Sequence, residues 1–306
     1  MSVNYNINFV KFRKASFTIA ISITIIGIIC LSIFKLNYGV DFKSGTTLDI
    51  SYGDALEKSK AEEMIRTSIS EENKFVVTMG GDDERVTARF DNVLTQNEVT
   101  AVIDNFKKDF GDTVTYEENM VDVTLAKELA LKAIVSVIIA SLCIALYVVI
   151  RFEWRFAVAS IISVLLDAFI VVTVFSIFRF EVNLPFVAAI LTVIGYSIND
   201  RIVIFDRIRE NLQTAKIKSL DSLIKLVNDS ISQVLTRTVN TVLMVLFTAV
   251  AIMIFGSGSI RVFSFAISLG LVIGVFSSIF IACPIWLLLK NNSLNSKKVT
   301  SPVAKP

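Results

Sequence analysis

The sequence predicts an α-helical polytopic membrane protein with six transmembrane helices and a small ferredoxin-like α+β domain between the first two. Three observations carry this. Hydrophobic residues make up 54% of the 306, above the roughly 45–50% of soluble domains, and mean hydropathy is +0.66. Six apolar runs approach the roughly 17–25 residues needed to cross about 30 Å of hydrocarbon. One long polar stretch, 37–127, interrupts them, and its apolar residues recur at strand and helix spacing.

The elements follow in order. The segment 1–14 carries Lys11, Arg13 and Lys14 and is expected in the cytoplasm, where Lys and Arg gather beside spans. The first span, 15–36, is shaped like a secretion signal, but it is long and no small-x-small cleavage site follows "SIFKLNYGV", so it reads as a retained anchor. Within the outer stretch 37–127, "TTLDISY" alternates like a strand, and Ala55, Met64, Ile65 and Ile69 recur at helical spacing. The runs "KFVVTM" and "RVTARF", separated by the turn-forming "GGDDE", read as a hairpin. The next helix, "TQNEVTAVIDNFKKDF", opens with Thr95 and Glu98 in capping-box spacing and closes before Gly111. "TVTYEENMV" supplies a last strand, which completes the β-α-β-β-α-β order of a ferredoxin-like fold.

Further spans are read at 128–150, 156–178, 183–206, 237–256 and 261–289, with only "RFEVN" and "GSGSI" as outer turns. The inner connection 207–236 holds an amphipathic helix with Leu220, Leu223, Ile224, Val227 and Ile231 on one face. That face either lies on the membrane surface or packs under the bundle, and a plain helical connector fits the segment equally well. The tail 290–306, with Lys290, Lys297 and Lys298, is again cytoplasmic, so both termini are expected inside.

Net charge is +2, yet residues 41–126 hold 9 Lys+Arg against 19 Asp+Glu, or −10, leaving +12 for the remainder. An acidic domain argues against nucleic acid as a partner. Cys30, Cys143 and Cys283 all fall in apolar runs and are odd in number, so they read as small buried hydrophobes outside any disulfide framework. There is no histidine, which removes the commonest proton carrier and metal ligand. No cofactor or metal is implied: "GSGSI" lacks the Lys and strand context of a phosphate loop, and neither a nucleophile elbow nor metal-ligand spacing occurs. The chain carries no catalytic motif and does not read as an enzyme.

A charge near the centre of a spanning helix costs about 2.5–3.5 kcal/mol on insertion scales. The sequence nevertheless places Asp167 near the middle of the third span, Asp200 beside Asn199 in the fourth, and Arg237 with Asn240 at the start of the fifth. Hydrocarbon surroundings disfavour an ionised carboxylate and a nearby guanidinium favours it, so an Arg approaching Asp200 and withdrawing would switch its proton affinity. The plainer reading is a buried ion pair that fixes helix packing, and Asp167 fits it about as well. An Asp carboxylate with the Asn199 oxygen could also hold sodium. Arg201, Asp206, Arg207 and Arg209 read as interface anchors that snorkel to the cytoplasm. Gly270 and Gly274 form a small-xxx-small motif suited to close helix packing.

The segments "VIGYSINDRIVIFDRIREN" (193–211), "YGVDFKSGT" (38–46) and "LTRTVNT" (235–241) together resemble the SecD/SecF family of bacterial protein-export membrane subunits, and the likeness extends over the whole chain. It implies half of an RND-type bundle in the bacterial inner membrane and a SecD partner of similar topology. It also implies work beside the SecYEG channel and SecA, with YajC-type and YidC-type accessory membrane proteins, on emerging preprotein substrates. The proton motive force would drive the late stages of export. By the resemblance, Asp200 matches the family's intramembrane carboxylate, Arg237 its fifth-span arginine, and Asp167 a third-span Asp that in many members follows a His. Here that His is Leu166, the common Thr-Gly-Gly after the anchor is Lys43-Ser44-Gly45, and Arg201 stands where smaller residues also occur. The alternative is half of an RND-type exporter of small molecules or lipids. A scaffold whose charges only fix packing is a third class, and loss of stability without loss of transport in Asp200→Asn would mark it.

Overall fold

The computed structural model describes residues 8–299 apart from 71, 72, 81–83, 216, 218 and 257. Among these, six helical stretches are long and apolar enough to cross a membrane. They are contributed by α1 (Arg13–Phe34) with the 3-10 turn before it, α5 (Val123–Arg151), α6 (Trp154–Ile177), α7 (Leu184–Thr214), α8 (Leu220–Phe255), and a continuous path from α9 (Gly258–Ser277) into α10 (Cys283–Val299). Only 6% of the apolar window of α5 is buried in the chain, against 50% in α7 and 56% in the last path. The centre of the bundle is therefore α6, α7 and α9–α10, with α1 and α5 outside.

Between α1 and α5 lie β1 (Asn37–Tyr38), the short α2 (Val40–Lys43), β2 (Gly45–Ser51), α3 (Lys58–Arg66), β3 (Phe75–Gly80), β4 (Arg85–Phe90), α4 (Gln96–Phe110) and β5 (Thr115–Val121). The four long strands form one antiparallel sheet in the order β3-β4-β2-β5, as the β-α-β-β-α-β reading requires. Alternation sends Leu48, Ile50, Val86 and Ala88 toward Ile65, Val99 and Phe106 of the two helices, while Thr47, Asp49, Thr87 and Arg89 occupy the helix-free face. The Thr95–Glu98 capping box forms, with Thr95 N–H donating to Glu98 Oε2 at 2.9 Å. The centre of the "GGDDE" turn, 81–83, lies outside the described residues, although β3 and β4 on either side pair from Phe75↔Phe90 to Gly80↔Arg85.

The segment after α1 is stitched to the turn between α6 and α7. β1 pairs in parallel with β6 (Glu181–Val182), and Gly39 N–H donates to the Val182 carbonyl at 2.9 Å. Gly45 takes a φ of +135°, and a Cβ there would run into the Phe90 carbonyl. Ser44 before it takes φ 74° and ψ 159°, a region where only glycine is unstrained.

One of the two placements expected for the amphipathic face is found, the reading of the cysteines changes, and a break in the last span is new. The amphipathic segment is the first half of the single 36-residue helix α8, and Leu223, Leu226, Val227 and Ile231 are buried in the bundle core, so this face packs under the bundle. Of the cysteines only Cys283 is buried, Cys143 being exposed on α5 and Cys30 intermediate, because α1 and α5 sit at the periphery. Finally, α9 and α10 are joined by a π-helical turn, Ser278–Ala282. Pro284 accounts for it, since a proline ring collides with the carbonyl four residues back in a regular α-helix.

Candidate functional site

Gly270 and Gly274 of α9 let the site helix, α7, come close. A Cβ at Gly270 would land on the branched side chain of Val193, and one at Gly274 would sit 2.5 Å from Ser197 Oγ. Ser197, Asp200, Arg201 and Ile204 thereby all lie inside the bundle.

Arg201 is the residue that sequence reasoning misplaced. It is fully buried and makes an ion pair with Asp167 of α6, Nη2 to Oδ2 at 2.5 Å. The same nitrogen donates to Ser277 Oγ at 2.7 Å, just before the π-helical turn. Asp206, Arg207 and Arg209 do stay at or near the surface: Arg207 pairs with Glu210 and Arg209 donates to the Arg151 carbonyl. The snorkelling reading fails for Arg201 because its side chain leans toward the N-terminus of its helix and into the core, where Asp167 supplies the counter-charge that a guanidinium cannot do without.

Asp200, the next residue back, is 5% exposed and forms no ion pair among the described residues. Arg237 makes none with it either: α7 and α8 are neighbours, but Arg237 is exposed on α8. The two do lie at comparable depth, since at about 1.5 Å per residue Asp200 is about 24 Å from the start of α7 and Arg237 about 27 Å from the end of α8. Asn199 is exposed although Asp200 is buried, as expected for residues about 100° apart on a helix, so they do not converge on one cation. Among the described residues no group of three or more Cys, Asp or Glu side chains that could hold a metal is present. What the structure brings together is Asp167 with Arg201 and Gly270–Gly274 with α7. Among the described residues it leaves Asp200 without an ion pair, and it leaves Asn199, Arg237, Asn240 and Thr241 exposed on the outside of α7 and α8.

Residues 101–292 match the family described as protein export membrane protein SecD/SecF, C-terminal, and residues 31–55 match the SecD/SecF GG motif. A protein translocase subunit SecF from Alicyclobacillus acidocaldarius is 41% identical over 286 residues, covering 93% of this chain and 92% of that one. A protein translocase subunit SecDF from Bacillus subtilis is 42% identical over 287 residues, covering 94% of this chain but only 38% of the longer protein. The crystal structure of SecDF, a translocon-associated membrane protein, from Thermus superposes with a TM-score of 0.80 at 29% identity, over 94% of this chain and 39% of that one.

Proposed function

Because this chain belongs to the SecD/SecF family of protein export membrane proteins, we propose that it is the SecF-type subunit of a protein translocase, driven by protons that bind and leave Asp200. The observation that carries this reading is the pairing pattern in the bundle. Arg201 has its counter-ion in Asp167, whereas Asp200 is enclosed without one among the described residues. An enclosed, unpaired carboxylate can take up a proton at modest cost, while a carboxylate held against a buried guanidinium serves packing. Asp167 is accordingly the counter-ion, and Asp200 the carrier. Ion coupling also needs a driving force, and one charge crossing the membrane is worth about 2.3 kcal/mol per 100 mV.

Arg237, Asn199 and Asn240 then acquire a role. Exposed polar side chains on spanning helices are costly in lipid and face a protein partner or a water-filled cavity. A SecD-type subunit seated on α7 and α8 would cover them and bring Arg237 under its control, beside SecYEG and SecA and with YajC-type and YidC-type proteins as further neighbours. The basic clusters at Lys11/Arg13/Lys14 and Arg207/Arg209 support a cytoplasmic inner end with both termini inside, which puts the α+β domain on the periplasmic side of a bacterial inner membrane.

The test is preprotein export in proteoliposomes containing the partner subunit and channel, under an imposed pH gradient and, separately, an imposed sodium gradient. Asp200→Asn should insert normally, bind its partner, and lose the part of export that depends on the pH gradient. Export at the native rate in that variant would overturn the proposal, and dependence on the sodium gradient alone would replace the proton.

A further inference from the structure

Where the α+β domain meets the helix bearing Asp200 there is, among the described residues, one buried carboxylate outside the bundle core. Asp41, in α2, is 6% exposed. Its Oδ2 accepts the Leu184 backbone N–H at 2.8 Å, and its Oδ1 accepts Asn119 Nδ2 at 3.2 Å. Leu184 is the first residue of α7, and Asn119 lies in β5, which leads directly into α5.

The first amides of a helix have no partner within it. In α7 each is accounted for. Leu184 donates to Asp41, and Pro185 has no N–H. Phe186 donates to the Asn183 side chain at 3.0 Å, and Val187 to the Asn183 carbonyl at 3.2 Å. The helix therefore takes part of its cap from a residue 143 positions away, and a carboxylate there also complements the positive end of the helix dipole. Other contacts cross the same junction, such as Arg89 to Glu181 at 3.1 Å, but that pair is partly exposed.

We propose that Asp41 is a positioning residue that makes the α+β domain follow the outer end of α7, so that movement begun at Asp200 reaches the domain through the Leu184–Asp41–Asn119 chain. This rests on the reading of Asp200 given above. A mere helix cap would need only Oδ2, so the two oxygens can be separated. Asn119→Asp leaves Oδ2 on Leu184 but sets two carboxylates face to face, which opens the link to the sheet. Adding Asp41→Asn restores it: the amide side chain now at position 41 accepts from Leu184 through its carbonyl and donates through its nitrogen to the carboxylate introduced at position 119.

The experiment uses the full chain with its partner in proteoliposomes and reads two quantities. One is export stimulated by a pH gradient. The other is the distance distribution between spin labels at Lys107 of α4 and Phe255 at the end of α8, both exposed, after replacement of the three native cysteines. Asn119→Asp should broaden the distances and lower stimulated export about threefold to tenfold, and the double variant should return both. Native distances and export in Asn119→Asp, or failure of the double variant to rescue, would overturn the proposal. If wild-type export ignores the gradient, the proton reading falls, and the distances still decide the link.

Discussion

Arg201 is a cation that the protein can afford only as half of a pair. Removing one partner of a buried ion pair strands the other charge and typically costs about 3–5 kcal/mol, whereas replacing both by apolar groups of similar volume is often neutral or stabilising. Asp167→Asn should therefore lower the melting temperature sharply in detergent, and Asp167→Leu with Arg201→Met should recover it, a coupling that a double-mutant cycle measures directly. Equal losses in the single and double variants would show that the pair is not the unit. The same double variant should retain gradient-dependent export if Asp200 carries the proton by itself. Asp200 was legible in the sequence as an enclosed carboxylate because the apolar residues on both sides of it mark a spanning helix. Arg201 was not, because its position near the end of the run suits snorkelling equally well, and its partner is 34 residues away on another helix.

At the level of elements, the α7–α9 contact depends on what each glycine faces. Gly270 meets the branched Val193, which cannot swing aside, while Gly274 meets a serine hydroxyl that can rotate, the next atom, Ser197 Cβ, being 3.6 Å away. Gly270→Ala should wedge the helices apart at about 1–3 kcal/mol, the usual cost of overpacking. Gly274→Ala should be nearly neutral, since alanine gains about 1 kcal/mol in helix propensity. Thermal unfolding of the two variants checks the order, and Val193→Ala should rescue Gly270→Ala but do nothing for Gly274→Ala. Helix number and the strand order of the domain were legible because hydrophobic length and alternation are local signals. The helix ends were not: α7 continues to Thr214, past the 206 suggested by hydropathy, because the buried face of α8 around Leu223 and Val227 extends the core beyond the apolar run. The π-helical turn had a local signal in Pro284, but its use, placing Ser277 against Arg201, is tertiary.

In the whole molecule the domain sits on the bundle by its helix-free sheet face, and that seat holds partly buried carboxylates beside arginines. Asp49 accepts a hydrogen bond from Thr87, beside the start of α9, where a Cβ on Gly258 would lie 2.8 Å from Thr87 Oγ1. With Arg85, Glu117 and Arg261 it lines a cavity of about 510 Å³. Burial, above all, holds the Asp49 carboxyl above its ordinary 3.8, partly opposed by the Thr87 hydrogen bond, while Glu117 pushes it further up and Arg85 pulls it down. Burial likewise raises Glu181 above 4.5, opposed by Arg89 and reinforced by Asp41 and Asp49. An acid whose folded value is raised binds its proton more tightly when folded, so its favourable contribution is full below the unfolded value and is lost as pH rises through the folded one. For these two groups the window opens upward from 3.8 and 4.5. Glu98 runs the other way: hydrogen bonds from Thr95 lower it, and its contribution fades as pH falls, but it is exposed and should weigh little. The full chain should therefore melt at higher temperature near pH 5 than near pH 7.5. Asp49→Asn with Glu181→Gln should flatten that slope and raise stability at the upper end, since a neutral amide fills each site without the burial cost. A wild-type melting temperature that falls on acidification, or an unchanged slope in the double variant, would place the titrating groups away from the junction between domain and bundle.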